Sequence, residues 1–155
     1  MRWVSAIIWA ATLAFFAVAF ALQDKASWPE GGTGPIWGEV AFLAATQAAG
    51  GALAGYLLAT LFGRRGVIGW IVATVGAILV CLLGGLLGGG LFGLREIIGG
   101  GDELIQGLIR LGFGPLNAPL AIAETPSLAA VLAAATGLAH LVIQHMRTKS
   151  GPQAR

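Results

Sequence analysis

Between Pro35 and Leu94 two long apolar segments are joined only by Gly63-Arg64-Arg65-Gly66, and small residues recur along both at every fourth position. The first segment carries Gly51, Gly55, Ala59 and Gly63; the second carries Gly69, Ala73, Ala77, Cys81, Gly85, Gly89 and Gly93. Residues four apart share one face of a helix, so each segment presents a smooth groove with almost no side chain. Between helices in lipid, apolar burial gains little, and close backbone approach through such grooves drives association. The pattern predicts a tightly packed transmembrane hairpin. Gly55 is then expected against Ala73–Ala77 and Gly85 near Ala44–Gln47, while Leu58 faces lipid.

Composition agrees with a lipid-embedded chain. Charged residues are 10% of the 155 and apolar residues 57%, whereas a soluble domain carries about a quarter charged residues. The 25 glycines suit membrane helix interfaces. A net charge of +2 without a basic cluster argues against nucleic-acid binding. The single Cys81 excludes an intrachain disulfide.

Four spans are expected, at about 3–22, 35–62, 67–94 and 126–146. In the first, Trp9, Leu13, Phe16 and Phe20 form a bulky stripe expected to face lipid; Ala10, Ala14, Ala17 and Ala21 form one expected to face the other helices. Arg2, the apolar run and Ala19-Phe20-Ala21 also fit a secretory signal with a small-x-small cleavage site; a retained span is the preferred reading. Residues 23–34 read as a loop flanked by Trp28 and Trp37. Pro35 is placed at a first helical position, where its missing N–H costs nothing. In the last span Ala129, Ala133 and Gly137 form a small row with Ala130 and Ala134 beside it. Thr125 is expected to cap it.

Residues 95–125 form an external segment. Asp102 is a plausible N-cap for a short helix over 103–111, with Leu104, Ile105, Leu108, Ile109 and Phe113 on one side and Glu103, Gln106 and Arg110 on the other. This amphipathic piece is too short to span and should lie in the interface or cap the helices. Pro115, Pro119 and Pro126 are expected to keep 115–125 extended. The fold class is therefore an all-α integral membrane protein: four transmembrane helices in a small-residue-packed bundle plus one short interfacial helix. Arg2, Arg64, Arg65, Arg147, Lys149 and Arg155 fall on one side, against Lys25, Arg95 and Arg110 on the other. The positive-inside rule makes the first side cytoplasmic, with both termini inside a bacterial-type inner membrane.

The run Gly50-Gly51-Ala52-Leu53-Ala54-Gly55-Tyr56-Leu57-Leu58, then Gly63-Arg64-Arg65-Gly66, Val75-Gly76-Ala77, Gly84-Gly85 and Leu91-Phe92-Gly93, resembles the transglycosylase-associated family of small bacterial membrane proteins. The likeness covers residues 49–94. It implies a Gly-rich hairpin and an envelope association, with no catalytic residue to carry over.

Chemistry is otherwise sparse. His140 and His145 lie about 140° apart on one helix and cannot ligate one ion together; no metal or other cofactor is expected. The serines show no nucleophile elbow and no catalytic residue is assigned. Glu39, Gln47 and Thr74 are the polar side chains that could line a path. Two functions follow. One is a non-catalytic accessory, scaffold or assembly subunit that packs on other membrane proteins or on itself through Gly51, Gly55, Ala59, Gly69, Ala73, Ala77, Gly85, Gly89 and Gly93. The other is a small oligomeric channel or transporter.

Overall fold

The computed structural model describes residues 1–23, 29, 35–99 and 103–149. Among them there are only helices and connecting turns: α1 (Arg2–Gln23), α2 (Trp37–Leu57), α3 (Gly66–Gly99), α4 (Glu103–Phe113), α5 (Asn117–Glu124) and α6 (Leu128–Lys149), with single 3-10 turns at Ala59–Leu61 and Gly114–Leu116. Four of these, α1, α2, α3 and α6, are long and apolar enough to cross a membrane. Asp102 and most of the 23–34 loop lie outside the described residues.

Helix limits differ from the sequence reading where prolines and the tight turn were weighed. α2 begins at Trp37 because Ile36, not Pro35, is its cap, with extended backbone (φ −74°, ψ 102°). It ends at Leu57, and the 3-10 turn and extended Phe62 fold the chain back across α3. This doubling-back makes Phe62 fully buried, its ring centroid 5.7 Å from that of Trp9. At 21 residues α2 spans about 31 Å, enough for a hydrocarbon core without overhang. Gly63 and Gly66 make the reversal with φ of +76° and +77°, a region that side chains disfavour.

α3 continues through Arg95 to Gly99, and its 34 residues reach about 51 Å. α4 then runs back along it rather than across the helix ends. A Cβ at Gly93 would meet the carbonyl of Gly107 at 2.5 Å, and one at Gly85 the carbonyl of Gly114 at 2.5 Å. Ile105, Leu108, Ile109 and Phe113 of α4 remain exposed; the side chains of Glu103, Leu104, Gln106 and Arg110 lie outside the described set. The extended form expected for 115–125 is not found. Pro115 sits in the first turn of the 3-10 helix and Pro119 in the first turn of α5, where a missing N–H breaks no helical bond.

α1 packs with its large face inward, the reverse of the expected orientation. Trp9, Leu13 and Phe16 are buried and Phe20 is half-buried; of the alanine stripe only Ala17 is buried, while Ala10, Ala14 and Ala21 are half-buried. The reason is on the opposing helix: α2 offers a glycine groove, and bulky side chains fill a groove better than a second smooth face does. Leu58, expected toward lipid, is half-buried against the core formed by Trp9, Phe62, Ala73, Ala77, Val80 and Ile143. α6 lies along α1, Gln23 Nε2 donating to Thr125 Oγ1 at 2.7 Å. Thr125 was expected to cap α6 directly, but α6 starts three residues later, at Leu128, whose N–H donates to the Thr125 carbonyl at 2.9 Å.

Candidate functional site

Every residue of the two predicted small rows is buried, but the partners are not the predicted ones. Gly51 and Gly55 face α1: a Cβ on Gly51 would meet the carbonyl of Trp9 at 2.5 Å, and one on Gly55 the carbonyl of Ser5 at 2.9 Å. α2 meets α3 one residue round the helix, where Gly50 packs on Gly84 and Gly88, and a Cβ on Gly88 would strike Gln47 Cα at 2.8 Å. The row on α3 is shared among several neighbours. Gly69 closes on the carbonyl of Arg64, Gly85 and Gly89 on Gly114, and Gly93 on Gly107. The atoms nearest a Cβ on Gly55 belong to Ser5 and Trp9 rather than to Ala73–Ala77, and those nearest one on Gly85 to Gly114 and Pro115 rather than to Ala44–Gln47. Ala59, Ala73 and Ala77 are each at most 3% exposed.

The three residues considered for a polar path are not brought together. Glu39 is about half exposed and pairs with Arg95 at 3.3 Å, an interaction of little energetic worth at a surface. Thr74 is exposed and its hydroxyl donates to the Trp70 carbonyl at 3.0 Å. Gln47 is 2% exposed and lies against Gly88, which is about 21 Å along α3 from Thr74.

His140 is fully buried, accepting the Gly63 N–H on Nδ1 at 3.3 Å, with its ring 4.5 Å from that of Trp70. It thereby ties α6 to the glycine turn before α3. His145 points to the exposed side. No group of three His, Cys, Asp or Glu side chains that could hold a metal occurs among the described residues. At the same end Arg64, Arg65 and Arg147 rim an open hollow, and Arg147 donates to the Thr60 carbonyl at 3.1 Å.

Two further small-residue faces are open to the outside. On α2, Gly38, Ala41, Ala45 and Ala49 are exposed; on α6, Ala129, Ala130, Ala133 and Ala134 are. The α6 set was visible in the sequence. On α2 only Ala41, Ala45 and Ala49 keep the four-residue spacing, and that row is easily masked in the sequence by the glycine row on the same helix. Ala49 and Gly51 are two residues apart, about 200° round the helix, so the two rows face opposite ways. The outward face of α3 is different in kind: Ile68, Ile71, Val75, Ile78, Leu82 and Leu86. No family model, no curated protein and no solved structure matches the chain, so its function has to be argued from these faces.

Proposed function

We propose that this is a non-catalytic protein of a bacterial-type inner membrane that works by packing its transmembrane helices against those of another subunit or a second copy. The observation that carries the reading is the contrast between outward faces. A bulky aliphatic face such as that of α3 fills well with lipid chains. The alanine faces of α2 and α6 offer lipid little contact but let another helix approach closely. The buried rows are already occupied within the chain, so the outward ones are what remain for a partner. The channel alternative draws no support from Glu39, Gln47 and Thr74, which lie apart.

The test is the size of the protein extracted in mild detergent, alone or with co-purified subunits. Wild type is expected as a complex; Ala45→Leu with Ala133→Leu is expected to run as a folded monomer with unchanged melting behaviour. A wild-type monomer with no partner under the mildest extraction would remove the reading.

Orientation is tested separately. The basic residues at Arg64, Arg65, Arg147 and Lys149 support a cytoplasmic position for that end. A reporter fused after Arg155 is expected to read cytoplasmic and one inserted beside Gly100 external; the reverse pattern, or both on one side, overturns the four-span topology.

A further inference from the structure

Gln47 lies ten residues from either end of α2, roughly 15 Å from each. Its side chain is buried and its Nε2 has no hydrogen-bond partner among the described residues. A buried amide left unpaired is costly, and hydrocarbon around the helices offers it no water. Methionine or leucine would fill the same space without that cost. Gly88 packs directly on this side chain, since a Cβ there would lie 2.8 Å from Gln47 Cδ, so glutamine fits here only opposite a glycine.

Gln47 lines a partly open cavity of about 340 Å³, a size typical of small-molecule sites. Its walls come from five helices, and Phe20, Leu43, Phe92, Ile109 and Phe113 are all apolar. Gly89 and Gly114 close one side, a Cβ at Gly114 lying 2.9 Å from Gly89 Cα. Asn117 is the other polar side chain of the lining, and none of the described lining residues is charged. Such walls reject an ion, which would enter without a counter-charge. They accept a ring or chain, and the amide supplies one directional contact.

We propose that this cavity binds a neutral, largely apolar molecule that presents a carbonyl oxygen to the Gln47 amide. Two sources share that chemistry: the ester carbonyl of a glycerolipid, and the ring carbonyl of a free quinone-like molecule. The proposal takes from the preceding reading only that the helices lie in lipid. It does not depend on any partner, so a protein that proves monomeric leaves it standing.

The test follows the side-chain amide resonances of Gln47 in the full chain, assigned by their loss in Gln47→Leu. The protein is held in nanodiscs of diether phosphatidylcholine, which has no ester carbonyl, and titrated with decyl-benzoquinone. A saturable shift is expected, with binding at least about tenfold weaker in Leu43→Trp, which fills the cavity; Leu43→Phe replaces it if that variant does not assemble. A second arm uses diester phosphatidylcholine without quinone. Resonances already displaced there identify lipid as the occupant. Identical resonances in ether lipid, ester lipid and quinone overturn the proposal, as does a quinone shift that survives undiminished in the filled variant.

Discussion

Gly50→Leu is expected to yield no folded protein in mild detergent, and Gly50→Ala to lower the unfolding midpoint clearly. A Cβ at position 50 would fall on the carbonyl of Gly84 and within 2.7 Å of the Gly88 nitrogen. Both are backbone atoms of α3, so no rotamer change can relieve the clash and the helices must separate. Overpacking of a core costs typically about 1–3 kcal/mol, occasionally more, and here the close contacts on both sides of Gly50 are lost as well. Gly38→Ala is the matched control. It lies on the same helix with nothing within 4 Å of its Cβ, and alanine is favoured over glycine within a helix by about 0.5–1 kcal/mol. The two substitutions should therefore change the midpoint, read by thermal or denaturant titration, in opposite directions. Equal effects would mean that α2 and α3 do not meet at Gly50.

Some of this molecule was legible before its structure and some was not, and the division has a physical basis. Four-residue spacing is set by helix geometry alone, so the small rows on α2 and α3 could be seen without knowing any neighbour. Which helix fills each groove is a property of the whole assembly. Adjacent glycines, Gly50 and Gly51, serve two different interfaces, toward α3 and toward α1. A pattern read along one chain segment cannot separate faces only about 100° apart. The orientation of α1 failed for the same reason. Its large stripe looks lipid-like in isolation and becomes a core stripe only opposite the Gly51–Gly55 groove.

The proline-rich 115–125 segment misled differently. Pro115 and Pro119 were treated as barriers to helix, but each lies within the first turn of a helical element, which is where proline is tolerated. That folding back is what brings Gly114 against α3 and closes the cavity beside Gln47. The glutamine itself was visible as a polar residue in mid-helix. Its cavity was not, because the walls come from residues as distant in sequence as Phe20 and Phe113.

Trp9→Ala is the second large effect expected, and it bears on the inverted orientation of α1. Trp9 is completely buried, packs on Phe62, and lies along the Gly51–Gly55 groove of α2. Truncating a buried tryptophan to alanine costs about 3–5 kcal/mol through lost contacts and the cavity left behind. That is a large share of the roughly 5–15 kcal/mol that holds a domain together, so much of the protein should unfold on extraction. Trp3 supplies the contrast on the same helix. It is 73% exposed and touches Tyr56 with ring centroids 5.1 Å apart, so Trp3→Ala should be mild. Trp9→Phe separates ring from donor. The indole Nε1 is buried with no hydrogen-bond partner among the described residues, so removing it sacrifices volume but relieves an unpaired donor, and stability should stay much nearer wild type than in the alanine variant. The measurement is the unfolding midpoint of all three in one detergent. If Trp9→Ala and Trp3→Ala melt alike, the bulky stripe of α1 faces outward, and the groove of α2 is filled by something else.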